Sequence, residues 1–147
     1  MSIAVRNATT TWDGPLASGT GTIGSSSSGS LDNLEATWVS RTEAPGGKTS
    51  PEELVAAAHS SCFSMALALT LGEHKTPPQQ LTVTAEVHLD AVDDVPTITT
   101  SNLTIRAKVP GVDAATFASI VDQAAKLCPV SRLITGAKIS IDAALED

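Results

Sequence analysis

Ser50-Pro51-Glu52-Glu53-Leu54-Val55-Ala56-Ala57-Ala58-His59-Ser60-Ser61-Cys62-Phe63-Ser64-Met65-Ala66-Leu67-Ala68-Leu69-Thr70-Leu71-Gly72 is the stretch on which the fold turns. Its opening carries three helix-start signals at once: Ser50 as N-cap, Pro51 at the first helical position, and Glu53 three residues after the serine in an S-x-x-E capping box. From Leu54 to Leu71 the residues stay helix-forming and apolar on nearly every face, which predicts a long rod that Gly72 ends or bends. A helix apolar all round belongs inside a structure. A chain of 147 residues has little surface left to wrap such a rod, so a second copy is expected to help cover it, as a homodimer.

Outward from this helix the chain changes character. Upstream, residues 1–48 read as short strands and turns: a strand within Ile3 to Thr11, a turn at Trp12-Asp13-Gly14-Pro15, a strand from Thr20 to Ile23, and another from Glu35 to Arg41. The run Gly24-Ser25-Ser26-Ser27-Ser28-Gly29 is short and lies between strand-like segments, so it reads as a loop tip and not a domain linker. Downstream, Leu81, Val83, Ala85, Val87 and Leu89 alternate with polar residues, and a second strand covers Ile98 to Val109 after a loop at Asp90 to Pro96. Asp113 caps a helix reaching about Leu127, with Phe117, Ile120, Val121 and Ala124 at helical spacing. Ala137 to Leu145 is a closing strand. The class is α+β in a single domain over residues 1–147, with no strand–helix–strand alternation to suggest a parallel sheet.

Composition removes several classes of function. Nine Lys+Arg against sixteen Asp+Glu leave a formal charge of −7, which disfavours phosphate backbones and anionic membranes as partners. Four aromatic residues, Trp12, Trp38, Phe63 and Phe117, offer no stacking platform for single-stranded nucleic acid. No export signal is recognisable at the N-terminus, and no apolar stretch reads as long enough to span a bilayer. Two cysteines do not make a disulfide scaffold, so a cytoplasmic, reducing setting is expected, where a thiol pair is either inert packing or redox chemistry.

The residues able to carry chemistry cluster around the long helix. Cys62 is either a small apolar core residue or a reactive thiol needing a positive neighbour. Cys128, at a helix end before Pro129, is expected to be the more reachable of the two. Glu52 has no part in the capping box; it either favours the helix dipole or orients an arginine, and Arg41 is the nearest candidate. Arg41 itself is either a surface charge or a guanidinium that stabilises a thiolate and binds a peroxide or carboxylate. Ten residues separate Glu52 from Cys62, roughly 15 Å along an unbroken helix, so a shared site requires a bend, a bridge by Arg41, or groups from a partner chain. His59 stands three residues before Cys62, where it is either packed and hydrogen-bonded or half of a thiol–imidazole pair. No metal-ligand spacing involves His59, His74 or His88, and Gly19-Thr20-Gly21-Thr22-Ile23-Gly24 matches a phosphate-loop pattern only as letters.

Ser50-Pro51-Glu52-Glu53-Leu54, the run Ala57 to Leu67 and Cys128-Pro129-Val130-Ser131 together resemble the OsmC/Ohr peroxidases, as do Trp12-Asp13-Gly14 and Val109-Pro110-Gly111-Val112-Asp113. The Cys62-Phe63-Ser64-Met65-Ala66-Leu67 run is most similar to the osmotically inducible OsmC branch. The organic hydroperoxide resistance branch takes its active-site arginine from the early N-terminal region, and Trp12 to Gly24 contains none, so the role passes to Arg41. The resemblance implies antiparallel sheets wrapped around a long central helix in an intertwined homodimer with two interfacial sites. It further implies that Cys62 is the peroxidatic thiol, Cys128 the resolving thiol, Arg41 the thiolate and peroxide partner, and Glu52 the carboxylate positioning the arginine. The activity so implied is reduction of organic hydroperoxides and hydrogen peroxide in oxidative-stress defence, with an external dithiol as reductant and no metal, haem or flavin. The apolar neighbours Phe63, Met65 and Leu67 are candidates to receive an organic peroxide chain. Two other readings of the same residues are a non-catalytic binding module for small apolar ligands and a thiol redox sensor without turnover.

Overall fold

The computed structural model describes residues 1–147, which form two compact units, Met1–Leu54 and Val55–Asp147. In the first unit β1 (Thr9–Asp13), β2 (Thr20–Gly24) and β3 (Glu35–Ala36) make an antiparallel sheet in that order. Gly14, at φ 88, supplies the left-handed turn between β1 and β2. Glycine at 21 is required for a different reason: a Cβ there would stand 2.9 Å from the Trp12 ring. The serine-rich segment is an organised loop, because Asp32 accepts hydrogen bonds from both the amide and the hydroxyl of Ser26, at 2.8 and 2.7 Å.

The strand expected over Glu35 to Arg41 ends at Ala36. Thr37 and Ser40 bond reciprocally, each side chain accepting the other's amide, at 3.0 and 2.9 Å, and this capping box starts the short helix α1 (Trp38–Thr42). Arg41 is therefore a helical residue. Gly46 and Gly47, both at positive φ, turn the chain back so that Thr49 donates its amide to Glu35 O at 2.8 Å. The Ser40 hydroxyl then bonds Thr49 O at 2.9 Å in a buried position.

Helix α2 runs unbroken from Pro51 to Glu73. Half of the expected capping box forms: the Ser50 hydroxyl accepts the Glu53 amide at 3.1 Å, whereas the Glu53 carboxylate turns to the Thr49 hydroxyl at 2.7 Å. Gly72 does not stop the helix. Lys75, at φ 60, takes the left-handed position, and the Thr76 and Lys75 amides close on Leu71 O and Gly72 O, each at 2.9 Å, in a Schellman ending. With 23 residues and a mean hydropathy of 1.6 over its most apolar window, α2 is long and apolar enough to cross a membrane, contrary to the sequence expectation. The core helix of a globular unit meets the same criterion, and the face of α2 bearing Phe63, Ala66, Leu67 and Leu71 is buried in such a core.

In the second unit β4 (Gln80–Val92), β5 (Val95–Lys108) and β6 (Lys138–Leu145) form a sheet in that order. The β4–β5 hairpin is antiparallel and turns on Asp93-Asp94 alone, at φ 50 and 61, so the strands run further than the expected loop at residues 90–96 allowed. β5 and β6 pair in parallel, from Thr100↔Lys138 to Ala107↔Leu145, which corrects the expectation of purely antiparallel sheets. A parallel neighbour needs a crossover, and helices α3 (Ala114–Leu127) and α4 (Pro129–Leu133) provide it. Asp113 caps α3 as expected, accepting the Thr116 amide at 2.8 Å. Phe63, Leu67 and Leu71 from α2, Leu103 and Ile105 from β5, and Phe117 and Ile120 from α3 are closed to solvent in one core.

Candidate active site

In the first unit the α1 cap and the return of Thr49 set Arg41 against the first turn of α2. The guanidinium grips the Glu52 carboxylate along one edge: Nε lies 3.0 and 3.1 Å from the two carboxylate oxygens and Nη2 lies 2.7 Å from Oε1. Glu52 is buried and Arg41 only partly so. A buried carboxylate facing a guanidinium is a rigid anchor, because breaking the pair strands a charge. The opposite edge, at Nη1, makes no hydrogen bond within the chain. Trp38 stands beside the guanidinium with its ring centroid 6.0 Å from Cζ, and Trp12, Trp38, Arg41 and Pro51 line a small cavity of about 100 Å³. The arginine and carboxylate singled out from the sequence thus form one pair with a free donor edge.

The second unit holds both cysteines, unoxidised and next to each other. Cys128 lies near enough to Cys62 to influence its thiol, and Cys62 is partly exposed while Cys128 is fully buried. This reverses the expectation that Cys128 is the more reachable thiol. The cause is local: Cys128 caps α4, its sulfur accepting the Ser131 amide at 3.4 Å, so it is turned inward. Pro129 has no amide hydrogen, which makes Val130 and Ser131 the first free donors of that turn. Ser131 serves the Cys128 sulfur, and the Val130 amide is the one that draws the Cys62 pKa down.

Burial pushes the Cys62 thiol above its ordinary range, the Val130 amide pulls it down, and the neighbouring Cys128 thiol raises it again. A thiol so placed needs a cation to ionise near neutral pH. Cys62 opens onto a cavity of about 310 Å³ lined by Met65, Ala66, Leu69, Leu127 and Pro129. Met65 belongs to this apolar mouth, as expected from the sequence. Phe63 and Leu67 do not, since both are closed into the core.

His59 makes no bond to either sulfur. Its Nδ1 lies 2.7 Å from Ser101 Oγ and its Nε2 2.8 Å from Ser131 Oγ, in a fully buried position. The packed, hydrogen-bonded reading of this residue holds, and burial lowers its pKa. Ser101 and Ser131 are not legible in the sequence as its partners, because they come from β5 and α4, 42 and 72 residues away. Nowhere do three His, Cys, Asp or Glu side chains converge in a metal-binding group.

Residues 44–143 match the family model described as OsmC-like protein. The chain is 44% identical over 131 residues to peroxiredoxin OsmC of Escherichia coli, covering 89% of this chain and 90% of the relative. It is 31% identical over 96 residues to an organic hydroperoxide resistance protein of Xanthomonas axonopodis pv. citri, covering 63% and 64% of the two chains. The fold is similar to that of an organic hydroperoxide resistance protein OsmC from Legionella pneumophila, with TM-score 0.75, 21% identity, and coverage of 98% and 99%. Matched across most of its length in sequence and nearly all of it in fold, the chain belongs to the family of OsmC-like proteins.

Proposed function

We propose that this chain is a thiol-dependent peroxidase acting on organic hydroperoxides and hydrogen peroxide, with Cys62 as the attacking thiol and Cys128 as the resolving thiol. The observation that carries this reading is a partly exposed Cys62 that opens onto an apolar mouth with the buried Cys128 thiol as its neighbour, in a chain 44% identical to a peroxiredoxin. The Cys62 thiolate attacks one peroxide oxygen, the O–O bond breaks, and the other oxygen leaves as alcohol or water after taking a proton. Cys62 is then a sulfenic acid. The Cys128 sulfur displaces its hydroxyl as water and closes a disulfide, and an external dithiol returns both thiols while becoming a disulfide itself. The cycle moves two electrons from dithiol to peroxide and calls for no metal, haem or flavin. A reducing cytoplasm is the setting in which such a reductant is available.

Arg41 supplies the cation that Cys62 lacks. Held by Glu52 along one edge, it offers Nη1 to a thiolate or to a peroxide oxygen, and a planar fork does this better than a point charge. Glu52 and Cys62 are ten residues apart on an unbroken helix, roughly 15 Å. We therefore take Arg41 to meet the Cys62 of a second copy in a homodimer, the whole chain working as one OsmC-like domain. The test is dithiol-dependent consumption of cumene hydroperoxide and hydrogen peroxide. Cys62→Ser is expected to abolish turnover and Arg41→Lys to lower it at least tenfold in a folded protein. Full turnover by Cys62→Ser would overturn the reading, and a single thiol oxidation without sustained reductant use would favour a redox sensor.

A further inference from the structure

One buried titratable side chain has no part in the peroxidase cycle as written. His59 is closed to solvent on α2, three residues before Cys62, and both of its ring nitrogens are taken by serine hydroxyls from other elements: Ser101 on β5 at 2.7 Å and Ser131 on α4 at 2.8 Å. Ser101 is itself fully buried. A neutral imidazole has one donor and one acceptor, and hydroxyls can answer both, so the three groups satisfy one another in either tautomer. An apolar residue would fill this helical position without the cost of drying polar groups, so packing alone does not account for the histidine. Its bonds do account for a geometry. Ser131 bonds His59 through its hydroxyl and donates its amide to the Cys128 sulfur at 3.4 Å. Through that one residue, the helix that carries Cys62 is tied to the turn that carries Cys128.

We propose that His59 is a positioning residue for disulfide closure, fixing the Cys128–Ser131 turn to α2 through Ser131 so that the Cys128 sulfur stands in line with an oxidised Cys62. The inference rests on the peroxidase reading above. In the step concerned, the S–O bond of the Cys62 sulfenic acid breaks, an S–S bond to Cys128 forms, and hydroxide leaves with the Cys128 proton as water. Intramolecular steps of this kind depend steeply on alignment, and a turn free to drift loses effective concentration. Attack of Cys62 on peroxide asks nothing of Cys128, so the tie serves the second step and not the first.

The experiment separates those steps. Reduced protein is mixed with one equivalent of cumene hydroperoxide in the presence of dimedone, which traps sulfenic acid, and the ratio of dimedone adduct to Cys62–Cys128 disulfide is read by intact mass. Ser131→Ala removes the hydroxyl and keeps the amide to Cys128; His59→Leu removes the imidazole at similar volume. Both are expected to raise the adduct-to-disulfide ratio at least tenfold while the rate of Cys62 oxidation changes less than threefold, and Ser131→Thr is expected to restore closure. A wild-type ratio in Ser131→Ala and His59→Leu would overturn the inference. So would an equal loss of both steps, which marks general loosening of the unit. A wild type that consumes no peroxide overturns the peroxidase reading first, and this inference with it.

Discussion

A histidine dried on all sides and bonded only to hydroxyls is held neutral, and this has a consequence for stability. Burial lowers the His59 pKa in the folded chain, whereas the unfolded chain titrates near the ordinary value of about 6.5. As pH falls through that value the unfolded chain takes up a proton that the folded chain refuses, so stability is lost from about pH 6.5 downward until the folded pKa is passed. Urea midpoints measured across this range should fall for the wild type. In His59→Asn the part of that slope beginning near pH 6.5 should vanish; an unchanged slope would assign it to other groups. Asp32 and Asp113, lowered by hydrogen bonds to their own loop and cap, act in the same direction only near the carboxylate range. At this scale the sequence is readable for residue types with few uses: Cys62, Cys128, Arg41 and Glu52 all stand out. What it hides is partnership. Which serines answer His59, and which cysteine faces solvent, depends on elements brought together from far along the chain.

Among the elements, periodicity and caps are legible in the sequence and pairing is not. The N-terminus of α2, the Asp113 cap of α3 and the alternating β4 all carry their own local signals, and each forms within a few residues of its expected bounds. The helix α1 escapes a sequence reading because the β-branched Thr37 and Val39 mimic a strand, while the Thr37–Ser40 box that decides the matter takes only four letters. Parallel pairing of β6 with β5 escapes it because a period-two pattern names a face and not a neighbour. The end of α2 offers a direct test. Gly72 sits in the last helical turn, where glycine is costly, and Lys75 sits at φ 60, where glycine is favoured. Nothing crowds a Cβ at 72. Gly72→Ala and Lys75→Gly should each raise unfolding free energy by about 0.5–1 kcal/mol in urea titrations, and a loss from Lys75→Gly would show that its side chain has a use the backbone does not reveal.

On the scale of the molecule, the outstanding feature is apolar surface on the helix that also carries Cys62. Met65 is 72% exposed and Leu69 58%, and both line the mouth at Cys62 together with Leu127. Large apolar side chains grouped in this way mark an interface or a ligand site, and the proposed homodimer supplies the first while leaving a peroxide access to the second. Sedimentation should give a dimer for the wild type. Met65→Glu, which brings a charge to that surface, should shift the protein toward monomer and lower peroxide turnover while the Cys62 thiol remains titratable; a monomeric wild type with full turnover would remove the need for a second chain. The apolar run from Leu54 to Leu71 is legible in the amino-acid sequence itself. The claim on which the rest depends is that Cys62 and Cys128 form one redox couple. Intact-mass and peptide analysis of reduced protein after one equivalent of cumene hydroperoxide tests it most directly. The account predicts loss of both thiols, a Cys62–Cys128 disulfide within each chain, and arrest of Cys128→Ser at a Cys62 sulfenic acid; retention of both thiols, or oxidation at Cys128 ahead of Cys62, would contradict it.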